Sequence, residues 1–72
     1  MPAIHQFVAG FTEGDAISNE ALVLRRLFRS WGYESDIATE RSHVSPALRS
    51  QAHDVTSFAT SCRRDDIVLL HL

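Results

Sequence analysis

The sequence predicts an α/β fold with the element order β-α-β-α-β. Apolar segments with strand character open and close the chain, and apolar residues with helical spacing lie between them. Short polar or glycine-containing connections separate these segments, an alternation that gives a parallel sheet with crossover helices. We therefore expect a three-stranded parallel sheet with the first strand in its centre, built by all 72 residues as part of one domain.

The first strand is predicted over residues 3–9, where β-branched, aromatic and small apolar residues precede Gly10. Its pattern neither alternates nor follows a helical stripe, which is typical of a central parallel strand covered on both faces. The loop 10–15 follows, and its glycines Gly10 and Gly14 suit the change from strand to helix. These glycines are compatible both with a plain turn and with an anion-binding loop.

The first helix is predicted over residues 15–31 because its apolar residues recur at helical spacing. They are Ile17, Ala21, Leu24, Phe28 and Trp31. Asp15 suits the N-cap, and Gly32 suits the position after the C-cap, where a left-handed conformation costs glycine little. We expect Phe28 and Trp31 to pack in the core.

The second half of the chain has weaker patterns. Residues 35–39 are short and less apolar, so they predict a strand near a sheet edge, with more solvent contact. Pro46 indicates a turn or a first helical position, and a second helix is predicted between about residues 51 and 61. Residues 67–72 are continuously apolar apart from a single histidine, which predicts a buried parallel strand. Because this strand has no polar segment after it, we expect an incomplete domain that self-associates through its open sheet edge.

Composition excludes several classes of function. Seven arginines against nine acidic residues give a net charge of −2, so nucleic acid is not expected as a partner. Cys62 is the single cysteine, which excludes an intrachain disulfide and indicates a reduced, cytoplasmic setting. We expect Cys62 to be a small packed residue. The chain predicts no metal site or other cofactor, and it has no apolar run near the roughly 20 residues that span a bilayer.

Candidate site residues follow from a rule for open parallel sheets, which bind ligands beyond the carboxyl ends of their strands. The candidates are Gly10, Glu13, Gly14, Asp15, Asn19 and His71. We interpret Asp15 as a helix cap rather than as a catalytic base. His71 interrupts an apolar strand and therefore needs a polar partner or a ligand. His5, within the first strand, is interpreted as a hydrogen-bonded structural histidine.

Four segments share their sequence pattern with one enzyme family. They are Ile-His-Gln-Phe at 4–7, Gly-Asp-Ala-Ile-Ser-Asn at 14–19, Arg-Ser-Trp-Gly-Tyr-Glu at 29–34 and Asp-Ile-Val-Leu-Leu-His at 66–71. Together they resemble the N-termini of bacterial group 1 glycosyltransferases. The resemblance implies a Rossmann-like domain of a GT-B enzyme, in which two such domains face a cleft. Such enzymes transfer a sugar from a nucleotide-sugar donor to an acceptor, commonly with retention and without an essential metal.

By this resemblance, the domain shapes the acceptor side and the loop 10–15 lies beside the donor diphosphate. Gly14 is the first position to carry over, although many relatives have a Gly-Gly pair where this chain has Gly14-Asp15. The family's C-terminal domain is absent from these residues, so we expect no catalysis by this chain alone. The alternative is a small α/β binding module that completes its sheet with a second copy. A receiver-type domain is disfavoured because the first strand lacks an acidic cluster after it.

Overall fold

The chain forms an α/β fold, which confirms the predicted class. In this computed structural model, the residues described are 3–40, 43–61, 63 and 65–71. The elements, in chain order, are β1 (Ile4–Val8), α1 (Ala16–Ser30), β2 (Ile37–Thr39), a 3-10 helix (Pro46–Gln51), β3 (His53–Asp54), α2 (Val55–Ser61) and β4 (Ile67–His71). Cys62 and Leu72, for which predictions were made above, lie outside the described residues.

The described sheet has four parallel strands in the order β3-β2-β1-β4, so the prediction of three strands is wrong. β1 lies between β2 and β4. The additional strand is β3, whose residues His53 and Asp54 pair with Ala38 and Thr39 of β2. The sequence did not predict β3, because its two residues are polar and show no strand pattern. A strand this short is defined by backbone pairing with its neighbour rather than by its own side chains.

The two α-helices contact opposite faces of the sheet. Gln6 of β1 donates through its side chain to the Ala21 carbonyl of α1, while the adjacent His5 packs edge-on against the Phe58 ring of α2 at 4.9 Å. Successive side chains in a strand point to opposite faces. At β1 the fold therefore has three layers, with the sheet between α1 and α2.

Helix α1 begins and ends where its predicted caps lie. The Asp15 carboxylate accepts from the Ser18 N–H, and Gly32 adopts a φ of 91°. The N–H of Gly32 donates to Arg29 and that of Tyr33 to Phe28, both at 3.1 Å. This pair of bonds satisfies the last helical carbonyls and ends the helix.

The core lies between α1 and the sheet. Its buried residues are Val8, Phe11, Ala21 and Ile37, and Leu22, Val44, Leu48 and Ala52 pack against them. All of β2 is buried, so its predicted place at a solvent-contacting edge is wrong. β2 is covered because β3 continues the sheet beyond it.

Helix α2 begins at Val55, later than the residue near 51 that its apolar pattern predicted. Pro46 opens the 3-10 helix instead, in agreement with its predicted role at a first helical position. Ala52 is extended and leads into β3. The Asp54 carboxylate then accepts from the N–H and hydroxyl of Thr56, a local bond that stops the strand and starts the helix.

Strand β4 is exposed, which corrects the prediction of a buried strand. It pairs in parallel with β1, but its residues from Ile67 to Leu70 are all exposed, Leu70 at 65%. β4 stands at the end of the described sheet, beyond the area that α1 and α2 cover. Trp31 is also exposed, at 59%, contrary to prediction, whereas Phe28 is buried as predicted.

Candidate functional site

The candidate site lies where the strand order reverses. From β1 the chain moves to β2 and β3 on one side, and it then returns to place β4 on the other side of β1. The connection after β1 leads to the β2 side, so a gap is left between the carboxyl ends of β1 and β4. In open parallel sheets such a gap is where ligands bind.

A shallow depression of about 220 Å³ occupies this gap. It is lined by Ala9, Gly10, Thr12, Asp15, Ile17 and His71. The structure thus brings together Gly10, Asp15 and His71 from the predicted set. Glu13, Gly14 and Asn19 are exposed on the same loop and first helical turn, but they do not line the depression.

Asp15 is engaged as the N-cap of α1. Its carboxylate accepts from the Ser18 N–H at 3.0 Å and contacts the Ser18 hydroxyl at 3.1 Å. A negative side chain therefore already stabilises the positive end of the helix dipole. A ligand in the depression meets this carboxylate rather than a free Ser18 N–H group.

Ser18 holds the loop in shape by contacting backbone groups, as polar side chains in the first turn of a helix often do. The residue is fully buried, and its Oγ accepts from the Thr12 N–H at 3.0 Å. The same oxygen lies 3.5 Å from the Gly10 carbonyl. Ser18 therefore ties both ends of the turn to the first turn of α1. The signal available was its position three residues after a capping aspartate.

A second segment, residues 43–45, supports the loop from outside. Phe11 donates its N–H to the His43 carbonyl, and Ser45 donates to the Phe11 carbonyl, both at 2.9 Å. The His43 ring nitrogen Nδ1 lies 3.2 Å from the Ala9 carbonyl, and Phe11 is fully buried. Because this pairing joins residues about 30 positions apart, no local pattern predicts it.

His71 has the polar partner that its sequence context required. Its Nε2 lies 2.8 Å from Oε1 of Gln6, and Gln6 Nε2 donates to the Ala21 carbonyl at 2.9 Å. Gln6 is fully buried, and His71 is half-buried. Glutamine is seldom buried in proteins, so its place in a strand predicted to be covered on both faces was the available signal.

His5 is a hydrogen-bonded structural histidine, as predicted. Its Nδ1 accepts from the Asp36 N–H at 3.1 Å, and its Nε2 lies 3.3 Å from Asp66 Oδ2. The Asp66 side chain is 3% exposed. The Arg63 N–H lowers the pKa of the Asp66 carboxyl, as do the Ala3 N–H and the His5 ring, against the opposing effect of burial.

Other depressions lie away from the strand reversal. One of about 260 Å³ adjoins the ends of β2 and β3 and is lined in part by Thr39, Arg49 and Asp54. The Oγ1 atom of Thr39 is buried without a hydrogen-bond partner among the described residues. A larger one, of about 420 Å³, lies between α1 and the 3-10 helix, where Arg25 donates to the backbone and side-chain oxygens of Gln51. None of the predicted site residues lines either depression.

Two further results concern the described residues as a whole. They contain no cluster of three or more histidine, cysteine or acidic side chains that could hold a metal ion. No helix among them is long and apolar enough to cross a membrane.

Comparison of the chain with protein-family models, curated proteins and solved structures gave no match. Any assignment of function therefore depends on the residues and geometry described above.

Proposed function

We propose that this chain is the N-terminal, acceptor-side part of a glycosyltransferase that uses a nucleotide-sugar donor. The resemblance of four segments to group 1 glycosyltransferases motivates the proposal. The observation that carries it is the depression between the carboxyl ends of β1 and β4, lined by Gly10, Asp15 and His71. This is the position at which Rossmann-like sheets bind their ligands. A cytoplasmic location belongs to the same proposal.

The polar groups of the depression suit hydroxyls better than phosphates. The Asp15 carboxylate is an acceptor, and it would repel the charge of a diphosphate at short range. Thr12 contributes a hydroxyl, and none of the described residues that line the depression is an arginine. We therefore propose that a hydroxyl-bearing sugar or acceptor occupies this depression and that the donor diphosphate is bound mainly by residues outside it.

The described chain is not expected to catalyse transfer alone. Its depression is smaller than the roughly 300–1,000 Å³ of typical ligand pockets, and it is open to solvent. Sugar transfer needs reactants that are positioned and shielded from water. Turnover of a nucleotide sugar by the 72-residue polypeptide would contradict this part of the proposal.

The decisive experiment assays the product of the complete reading frame with a panel of nucleoside diphosphate sugars. We expect one donor to release its nucleoside diphosphate, faster when an acceptor is present. His71→Ala should lower the rate more than His53→Ala, since the His53 side chain is remote from the depression. If no donor is consumed with any acceptor, the glycosyltransferase proposal fails.

The second candidate is a binding module that self-associates through β4. It is favoured by a specific observation, namely that β4 pairs only with β1 among the described strands and exposes four apolar residues in succession. An unpaired strand edge of this kind is a template for pairing with a second copy. Its test is described with the whole molecule below.

A further inference from the structure

We propose that Nδ1 of His71 accepts a hydrogen bond from a ligand hydroxyl, and that buried Gln6 is the positioning residue that holds the hydrogen of the neutral His71 ring on Nε2. The choice of a sugar hydroxyl as the ligand group rests on the proposed function. The state of the His71 ring does not, because it follows from contacts within the chain alone.

The orientation of the Gln6 amide is determined by its partner on α1. The Ala21 carbonyl can only accept, so the group 2.9 Å from it must be the donating Nε2 of Gln6. The opposite orientation would place two acceptor oxygens against each other. Gln6 Oε1 is consequently the atom that faces His71, at 2.8 Å.

This orientation determines the tautomer of His71. Since Oε1 of Gln6 can only accept, Nε2 of His71 must carry a hydrogen and donate it. A neutral imidazole has one N–H donor and one acceptor nitrogen. In neutral His71, Nδ1 is therefore the acceptor, with its lone pair free for another group.

Nδ1 of His71 is open to a ligand. It has no hydrogen-bond partner within the described residues, and it is not among their buried side-chain atoms that lack one. His71 lines the depression together with Asp15 and Thr12. His71 thus has one unpartnered ring nitrogen, Nδ1, at the candidate site, while its Nε2 is bonded to the buried Gln6.

The chemistry of the depression selects a donating ligand group. A neutral Nδ1 and the Asp15 carboxylate are both acceptors. A sugar hydroxyl can donate to either one, whereas an unprotonated phosphate oxygen cannot. The ligand class is therefore a polyol, such as a sugar ring, that presents hydroxyl hydrogens to this end of β4.

The two hydrogen bonds of Gln6 offset the cost of burying its amide. An apolar residue would fill the site between α1 and β1 without the cost of desolvating an amide, about 1–3 kcal/mol if unpaired. Glutamine instead spans from the helix to His71 and satisfies both ends of its amide.

The test uses the ring nitrogen shifts of His71, measured by nuclear magnetic resonance on the intact protein at a pH where the ring is neutral. The wild type should show one tautomer, with hydrogen on Nε2. Gln6→Met should convert this to a mixture, because a thioether accepts hydrogen bonds only weakly. Gln51→Met is the matched control, the same substitution at an exposed glutamine, and should leave the His71 tautomer unchanged.

Loss of packing alone would lower stability without redistributing the hydrogen between the two ring nitrogens of His71, so the tautomer distinguishes positioning from packing. If Gln6→Met does not fold, the tautomer of the wild type still decides. A wild-type ring with hydrogen on Nδ1, or a tautomer unchanged by Gln6→Met, would overturn the proposal.

Binding is tested separately with methyl glucoside and with uridine diphosphate glucose as probes. The loss of one hydrogen bond should weaken binding about tenfold in His71→Ala. Gln6→Met should weaken binding less, because part of the population keeps hydrogen on Nε2, and Gln51→Met should bind like the wild type. Equal affinities in all variants would overturn the role of Nδ1 in binding. If neither probe binds the wild type while the tautomer is as expected, the sugar ligand and the proposed function fail, and the Gln6–His71 arrangement stands.

Discussion

Two adjacent polar residues at the centre of the sheet are both satisfied by long-range contacts. His5 bonds to the Asp36 N–H and to Asp66 on one face, and Gln6 bonds to Ala21 and His71 on the other. A buried polar group without such partners costs several kcal/mol in an apolar setting, so each bond restricts which segments can lie beside β1. These side chains therefore specify the arrangement of the strands as well as filling space.

At the residue scale, the two loop glycines should differ in their tolerance of a side chain. Gly14 has a φ of 83°, where an L-residue is strained, although a Cβ there would meet no atom within 4 Å. Gly10 lacks a positive φ, and its Cβ would make only ordinary contacts with His43. We expect Gly14→Ala to lower the free energy of unfolding by about 1 kcal/mol and Gly10→Ala to change it little. Urea unfolding of both variants measures these free energies, and an equal loss of stability in the two variants would contradict the prediction.

Asp66 should make stability depend on pH in the acid range. Its pKa is lower in the folded protein than in the unfolded chain. A lowered carboxyl pKa contributes stability that is fully present above the unfolded value of about 3.9 and is lost as the pH falls through the folded value. Asp66→Asn places an amide N–H₂ group against N–H donors, so it should be less stable than the wild type at pH 7.

The urea midpoints of wild type and Asp66→Asn should converge as the pH falls below about 4, because the wild-type carboxyl then also becomes protonated. Asp65→Asn is the matched control, since Asp65 is the exposed neighbour. If the urea midpoints of Asp66→Asn and the wild type differ by the same amount at every pH, the charge of the Asp66 carboxylate does not cause the loss of stability.

At the scale of the element, α1 is specified at both ends by local residues, but its apolar face is only partly covered. Ala21 and Phe28 are buried, whereas Ile17 and Trp31 of the predicted face are exposed. Helical spacing indicates which side of a helix is apolar, but coverage depends on the sheet and on what packs beyond it.

The N-cap of α1 should depend more on an acceptor side chain at residue 15 than on its charge. Asp15→Ala removes the acceptor for the Ser18 N–H and should cost about 1 kcal/mol of unfolding free energy. Asp15→Asn retains a capping oxygen and should cost clearly less. Glu13→Ala, at an exposed loop position, is the control for loss of a nearby carboxylate. Asn and Ala variants of equal stability would contradict the assignment of Asp15 as a cap.

At the scale of the whole molecule, the helices cover β1 and β2 but leave β4 exposed. The sheet order places β4 at the end opposite β3. Residues 67–70 of β4 are exposed on both of its faces, although their sequence is the most continuously apolar in the chain. An apolar strand with one open edge favours association with other chains.

The 72-residue polypeptide should therefore self-associate through β4. Leu70→Lys should reduce the average mass measured by light scattering at high protein concentration, because a charged side chain on an edge strand opposes pairing. Val23→Lys is the matched control, since Val23 is 63% exposed on α1 and Leu70 is 65% exposed on β4. A monomeric wild type, or an equal effect of both substitutions, would contradict association through this strand.

Part of the candidate site could be predicted, because the rule for parallel sheets concerns strand ends and loops. Gly10, Asp15 and His71 come from two distant segments and meet at one depression. Gln6 and the segment 43–45 could not be assigned to it, since their contacts join residues far apart in the chain. The role of the loop beside a diphosphate stays a prediction.

By itself, the sequence determined the α/β class, both caps of α1 and the parallel pairing of an apolar last segment with the first strand. These features depend on local periodicity, on capping chemistry and on the apolar character of short segments. Only the tertiary structure decided that β3 exists, that β2 is interior and that β4 is exposed. Burial and strand number depend on which segments become neighbours, and that is a property of the folded chain rather than of any one segment.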